Sequence, residues 1–252
     1  MPSWALIQDE AMNLVSGSTA AGLTVRIVGS TGIRLHCPDA SATMDAVERP
    51  AKDIDLVVRH GDRGKLRDWL EDRGWVVDRD LLVAMEGERY AFHHPGAGLD
   101  LDVFVDKLEF CHTIPLNGRW EEHATTIPIE DLLLQKLQVH DITSSDVLDA
   151  AIVLATHDVA PGDGDDEVID CVYVADLLAR DWGFHRDATA NLERIHDAAA
   201  TLGDRAPRVE ERALKLREAI DGTHKSRGWR MRARVGERMQ WWEDVSERED
   251  TY

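Results

Sequence analysis

The stretch Lys52-Asp53-Ile54-Asp55-Leu56-Val57-Val58 alternates with a period of two. That alternation predicts a β-strand over 53–58, with Ile54, Leu56 and Val58 on one face and Asp53, Asp55 and Val57 on the other. Two aspartates two apart on a strand project from the same side, where their carboxylates can share one metal ion or bridge two. Placing two acids at this range costs Coulomb energy unless a cation is present. Taken alone, the pair also reads as a chance juxtaposition on an acidic surface.

A second stretch, Leu99-Asp100-Leu101-Asp102-Val103-Phe104-Val105-Asp106, repeats the pattern. Its apolar flanks predict a central, partly buried strand over 99–105, with Asp100, Asp102 and Asp106 on one side. Buried carboxylates are costly without a compensating charge, which a metal supplies. Acids from neighbouring strands would form an oxygen-rich cage for Mg²⁺ with room for substrate phosphates. The competing reading is an edge strand with one wet face.

Composition bounds the remaining possibilities. The chain has 252 residues, 43% hydrophobic and 31% charged, which excludes a wholly disordered polymer. With 48 Asp+Glu against 29 Lys+Arg the net charge is −19, and only six of the cationic residues are lysine. Such a balance argues against a general nucleic-acid coating protein and against docking on anionic membranes, while leaving room for a local basic patch. No apolar run approaches the roughly 18 residues of a membrane helix, and the N-terminal residues do not read as a secretory signal. Cys37, Cys111 and Cys171 are far apart and odd in number, which fits neither a disulfide framework nor a zinc site. They read as reduced thiols of a cytoplasmic protein.

Working outward from the two acidic strands, residues 3–15 predict an amphipathic helix, broken by Gly17, Ser18 and Gly22. Leu23, Val25 and Ile27 predict a strand ending at Gly29-Ser30, followed by a short helix to His36 and a loop over 37–50. A helix is expected over 62–73. Strands are expected over 75–78, 81–85 and 88–93, with a hairpin turn at Glu86-Gly87. After about residue 120 no further strand is expected. Helical patterns cover roughly 128–141, 144–157, 167–181, 186–202, 207–221 and 227–245. The acidic stretch Pro161-Gly162-Asp163-Gly164-Asp165-Asp166 lacks calcium-loop spacing and reads as a connector. The expected fold class is α+β, a small mixed-sheet core over 1–120 followed by an all-helical domain over 121–252.

Two further features bear on chemistry. Gly29-Ser30 ends a strand and opens a helix, a place where backbone N–H groups can hold a phosphate, although Gly-Ser is also an ordinary turn. Lys136 shares a helical stripe with Ile129, Leu132, Leu133 and His140. A lysine there must snorkel to solvent or meet an anion, such as a triphosphate. Among the other histidines, His93-His94 and His112 show no ligand spacing and read as structural or exposed.

Strand, Gly-Ser, Asp-x-Asp and a third Asp on a later strand, in that order, resemble the DNA polymerase β-like nucleotidyltransferase superfamily. Locally the text is most similar to the AbiEii-type nucleotidyltransferases, some of which are toxins of phage-defence systems. Gly29-Ser30-Thr31-Gly32-Ile33-Arg34-Leu35-His36 is similar to their first motif, and Lys52-Asp53-Ile54-Asp55-Leu56 to their second. Lys136-Leu137 followed by Asp146-Val147-Leu148-Asp149 resembles their helical motif. The likeness covers roughly residues 4–157 and fades over the C-terminal helices.

The resemblance implies a nucleotidyltransferase core that uses two Mg²⁺ ions and an NTP. Asp53 and Asp55 would bind the metals. Asp102 would be the third carboxylate, preferred over Asp100 and Asp106 because Val103-Phe104-Val105 continues the strand, and it would activate an acceptor hydroxyl. Gly29 and Ser30 would hold the nucleotide phosphates, Lys136 would contact the triphosphate, and Asp149 would be a supporting acid. The 22 residues between Ser30 and Asp53 exceed the spacing usual in the family, and the 37–50 loop would absorb them.

The last helical pattern carries Arg227, Arg230, Arg234 and Arg238 as one stripe, and Met231, Val235, Met239 and Trp242 as another that would pack inward. The arginines suit RNA phosphates or an acidic partner; the other reading is a solvated face paired with nearby acids. The sequence thus predicts a cytoplasmic, metal-dependent transfer of a nucleoside monophosphate from an NTP to a hydroxyl of RNA, protein or a small molecule, without membrane association. A toxin role would add a cognate antitoxin. The alternative is a non-catalytic nucleotide-binding or regulatory module that keeps the fold.

Overall fold

A computed structural model describes residues 3–40, 53–162 and 168–244. The protein is a mixed α+β chain that divides into two compact units. The first comprises Met1–Leu108 and Pro115–Pro128, the second Glu109–Ile114 and Ile129–Tyr252.

The first unit is built on a five-stranded mixed sheet. Its strands are β1 (Val25–Ile27), β2 (Asp53–Val58), β3 (Val76–Val77), β4 (Arg89–His94) and β5 (Leu99–Val105), in the order β1-β2-β5-β4-β3. Only the central pair β2/β5 is parallel; the other neighbours are antiparallel. Ile54, Leu56 and Val58 face the core with Leu99, Leu101, Val103 and Val105. Helix α1 spans Trp4–Ala20, α2 Gly29–His36 and α3 Arg63–Glu71. The strand residues pack against Ile7, Ala11 and Leu14 of α1 and Leu66 and Leu70 of α3. The alternation of both acidic strands thus divides one apolar face from a second that is polar at its start, where the aspartates stand, and closed by buried Val57 and Phe104 at its far end.

Segment 115–128 returns to this unit. Arg26 on β1, buried, donates from Nη2 to the Trp120 carbonyl (2.6 Å) and from Nε to the His123 carbonyl (2.5 Å). Ile27 bridges Thr126 in parallel.

Three local expectations give way. Helix α1 is not broken at Gly17 but runs to Ala20. Gly17 packs so closely on Trp69 of α3 that a Cβ would lie 2.9 Å from its ring, so the absence of a side chain serves a contact. The segment expected as a strand at 81–85 is helical, α4 (Arg79–Ala84), because Asp78 caps it by accepting from the Asp80 and Leu81 amides, each at 3.0 Å. No hairpin therefore forms about Glu86-Gly87. A short pair not expected from sequence, β6 (Lys107–Glu109) with β7 (Thr113–Pro115), follows β5.

From Ile129 onward the described residues of the second unit are helical apart from one parallel pair, β8 (Asp158–Ala160) with β9 (Val168–Asp170), which corrects the expectation of a strand-free half. Asp170 ends β9 and caps the next helix through the Val172 and Tyr173 amides, so the helix expected from 167 starts at Cys171. The helices are α5 (Ile129–Leu137), α6 (Ser144–Thr156), α7 (Cys171–Leu178), α8 (Trp182–Ala198), α9 (Ala206–Gly222) and α10 (Arg227–Val235). Phe184, Ala188, Leu192 and Ile195 of α8 and Val209, Ala213, Leu216 and Ile220 of α9 bury stripes at helical spacing. Among the described residues no helix is long and apolar enough to cross a membrane.

Candidate metal centre

The parallel register of β2 and β5 pairs Asp53 with Asp100 and Asp55 with Asp102. Paired residues point to the same side of a sheet, so all four carboxylates leave its polar face. One oxygen each from Asp53, Asp55 and Asp102 lies within 4.8 Å of the others. Asp53 is exposed, whereas Asp55 and Asp102 are half-buried. Strand β5 is central, yet its acids sit where the sheet meets solvent, so their charge is only partly desolvated.

The three candidates for the third carboxylate separate. Asp100 pairs with His93 of β4, its Oδ1 2.8 Å from Nδ1. Asp106 does not share the face: it lies beyond the end of β5 at φ 58°, and its Oδ1 accepts from the His60 amide at 2.9 Å. Asp102 is the one that meets the β2 pair. Its Oδ2 accepts from Nη2 of Arg89 at 2.7 Å. Arg89 was not among the residues singled out from sequence, although its place on the strand next to β5 is what lets it reach Asp102.

Gly29 opens α2 with φ 67°, a left-handed backbone conformation suited to glycine. A Cβ on it would come within 3.1 Å of Cγ of Asp55 and closer still to Oδ2. The Val28 amide donates to the Asp55 carbonyl at 2.9 Å. The long spacing before Asp53 therefore does not keep the β1–α2 turn from the acids. Ser30 and Thr31 are buried beside it. Residues 41–50 of the expected 37–50 loop, Lys52 and Asp163–Asp166 of the acidic connector lie outside the described residues.

A hard divalent cation fits this donor set. Carboxylate oxygens are its preferred ligands, and a glycine cradle that a Cβ would fill leaves the Asp55 carboxylate in place.

Lys136 and Asp149 belong to the second unit, where they pair with each other. Lys136 Nζ lies 2.8 Å from Asp146 Oδ1 and 3.1 Å from Asp149 Oδ2, with the Asp149 side chain 1% exposed. Every residue of α5 is buried. The lysine therefore meets an anion, and that anion comes from α6.

The same unit holds a polar cluster that sequence spacing did not reveal. Asp187 of α8 receives His112 Nε2 on Oδ2 (2.8 Å), and His140 Nδ1 (2.9 Å) and Trp241 Nε1 (3.0 Å) on Oδ1. Burial pushes the Asp187 carboxyl up, but hydrogen bonds from His112, Trp241 and His140 more than offset this and hold it below the usual carboxylate range. His112, read from sequence as structural or exposed, is buried in this network.

The C-terminal stripes are corrected. Helix α10 ends at Val235, the chain turns at Gly236, and Arg238 falls in a 3-10 turn, off the row of Arg227, Arg230 and Arg234. Those three are exposed. Met231, Val235 and Met239 are exposed rather than packed inward. The inner positions go to Trp229 and Arg232, whose guanidinium sits over Trp182 at 4.7 Å and donates to the Gly236 and Met239 carbonyls, each at 2.7 Å. Trp242 does pack inward, stacked on His140 at 3.7 Å, but from beyond the helix.

No family model and no curated protein matches the chain.

Proposed function

We propose that the chain is a metal-dependent nucleotidyltransferase that moves a nucleoside monophosphate from an NTP to a hydroxyl acceptor. The observation that carries the reading is the convergence of Asp53, Asp55 and Asp102 within 4.8 Å, with Gly29 closed on Asp55. An acid triad on two parallel strands beside a strand-to-helix turn is the arrangement that phosphoryl chemistry uses, with the turn for phosphate and the acids for the cation.

Asp53, Asp55 and Asp102 would hold Mg²⁺, which when bound would neutralise charge on the triphosphate and on the leaving pyrophosphate. The chain's own groups do the rest. The N–H groups at Gly29 and Ser30 orient the phosphates. Asp102 takes the proton of the acceptor hydroxyl on an oxygen lone pair that neither the cation nor Arg89 uses, as that hydroxyl attacks the α-phosphorus in line and pyrophosphate leaves. In the second unit, Lys136 is held by Asp146 and Asp149.

The acceptor class remains RNA, protein or a small molecule, and exposed Arg227, Arg230 and Arg234 suit a polyanionic one. A toxin with a cognate antitoxin would run the same chemistry. The buried, disulfide-free Cys37, Cys111 and Cys171 suit a cytoplasmic site of action.

The test is transfer of label from each α-labelled NTP with Mg²⁺, offering total RNA and soluble cell protein as acceptors. Label that disappears in Asp53→Asn/Asp55→Asn establishes the reaction and names the acceptor class. Absence of both transfer and Mg²⁺-dependent NTP binding would replace this reading with that of a non-catalytic module.

A further inference from the structure

Arg89 and Asp102 form a pair whose geometry bears on which cation the centre accepts. In the β4–β5 register, Ala91 lies opposite Asp102 and Arg89 opposite Phe104, so Arg89 reaches diagonally along the sheet to Asp102. Its guanidinium lies over the Phe104 ring at 5.0 Å while Nη2 donates to Oδ2 at 2.7 Å. Both side chains are largely withdrawn from water, 26% and 18% exposed. The other β5 acid, Asp100, is taken by His93, which leaves Arg89 to Asp102.

We propose that Arg89 is a positioning residue that makes Asp102 a one-oxygen ligand, and thereby tilts the acidic centre toward Mg²⁺ and against Ca²⁺. This rests on the reading of Asp53, Asp55 and Asp102 as a metal centre. A charge-assisted hydrogen bond holds Oδ2 against the guanidinium and leaves Oδ1 for the cation. To chelate with both oxygens, Asp102 has to give up that bond. Arg89 would then lose its partner in a setting where its Nε is already buried without a hydrogen bond. Mg²⁺ takes six ligands in a tight octahedron and is content with single oxygens. Ca²⁺ takes six to eight and gains from carboxylates that bind through both. Donors behind a ligating carboxylate therefore set ion choice as well as orientation.

Charge alone does not produce this selectivity. Mg²⁺ and Ca²⁺ are both divalent, so deleting the arginine raises the attraction of the acids for both alike. Only a change in denticity moves the ratio of their affinities.

The experiment titrates the full chain with Mn²⁺, followed by electron paramagnetic resonance, and displaces the ion with Mg²⁺ or Ca²⁺. Wild type, Arg89→Gln, Arg89→Met and Asp53→Asn/Asp55→Asn are compared. In Arg89→Gln the Ca²⁺/Mg²⁺ affinity ratio rises by about tenfold. Arg89→Met, which keeps an unbranched apolar stem beside Phe104 but has no donor, gives the same rise and decides the matter if the glutamine variant does not fold. A ratio that stays at the wild-type value while both affinities move together overturns the inference and leaves the metal centre standing. Wild type that retains no more Mn²⁺ than Asp53→Asn/Asp55→Asn overturns the metal centre, and this inference with it.

Discussion

Gly29 closes directly on Asp55. The first residue of α2 leaves so little room that a Cβ would fall within 3.1 Å of the aspartate Cγ, and the backbone there is left-handed, with φ 67°. Two demands, on space and on backbone angle, thus meet at one residue, and both concern the carboxylate of the candidate metal centre.

Gly29→Ala tests that relationship. The substitution forces an L side chain into a left-handed conformation, at about 1 kcal/mol, and pushes Asp55 out of place. The melting temperature should fall by a few degrees while Mn²⁺ affinity falls by at least about tenfold. Stability loss with unchanged Mn²⁺ affinity would mean that the close approach is packing alone.

Asp53→Asn/Asp55→Asn removes two acids of the candidate centre and should abolish its response to Mg²⁺. Added Mg²⁺ should raise the melting temperature of wild type only, by about 2.7 kcal/mol of stabilisation at a hundred times the dissociation constant. A Mg²⁺-dependent rise of equal size in the variant would place the ion elsewhere.

Lys136→Met separates two roles of the lysine. Asp149 is almost completely buried against it, so its removal leaves a buried carboxylate short of its cation, at about 3–5 kcal/mol. Urea unfolding should show this loss, and adding Asp149→Asn should recover much of it. A stable Lys136→Met protein that no longer binds NTP would instead make phosphate contact its main task.

His185→Gln addresses acid sensitivity. Burial, followed by the nearby Lys225 charge, lowers His185 from the ordinary 6.5 to about 4. Its Nε2 is buried without a hydrogen bond, and its ring meets Trp229 edge-on at 5.1 Å. The folded protein therefore holds the neutral ring, while the unfolded chain takes up a proton near 6.5. Stability from this residue is full above 6.5 and is lost as the pH falls toward 4. Asp187, held low, loses its contribution instead as the pH falls through and below the ordinary carboxylate value. Unfolding free energies between pH 7 and 4.5 should fall less steeply in His185→Gln. Parallel curves would refute the assignment.

The two acidic strands were legible because a strand's period is two. Leu56 and Asp55 had to face opposite ways, and Asp100 and Asp102 had to face together, whatever else the chain did. The helices of the second unit were legible for the same kind of reason, through stripes such as Phe184, Ala188 and Leu192. Local capping defeated the period where the two competed, as at Asp78, which turned an apparent strand at 81–85 into a helix. The stripe of arginines failed past Val235 because a helical wheel holds only while the helix continues, and Gly236 ends it.

Residue types, spacing and the strand period nominated Asp53 and Asp55, and the family resemblance added Gly29 and the choice of Asp102 among three acids. What they could not settle was adjacency. The choice of Asp102 over Asp106 depends on where β5 stops, and the pairing of Arg89 with Asp102 depends on the β4–β5 register. Asp187 gathers His112, His140 and Trp241 from positions 75, 47 and 54 residues away. A periodic pattern states which way a side chain points relative to its own backbone. Only the packed chain decides what it points at, because those partners are brought together by burial of apolar faces that carry no record of which polar groups will meet.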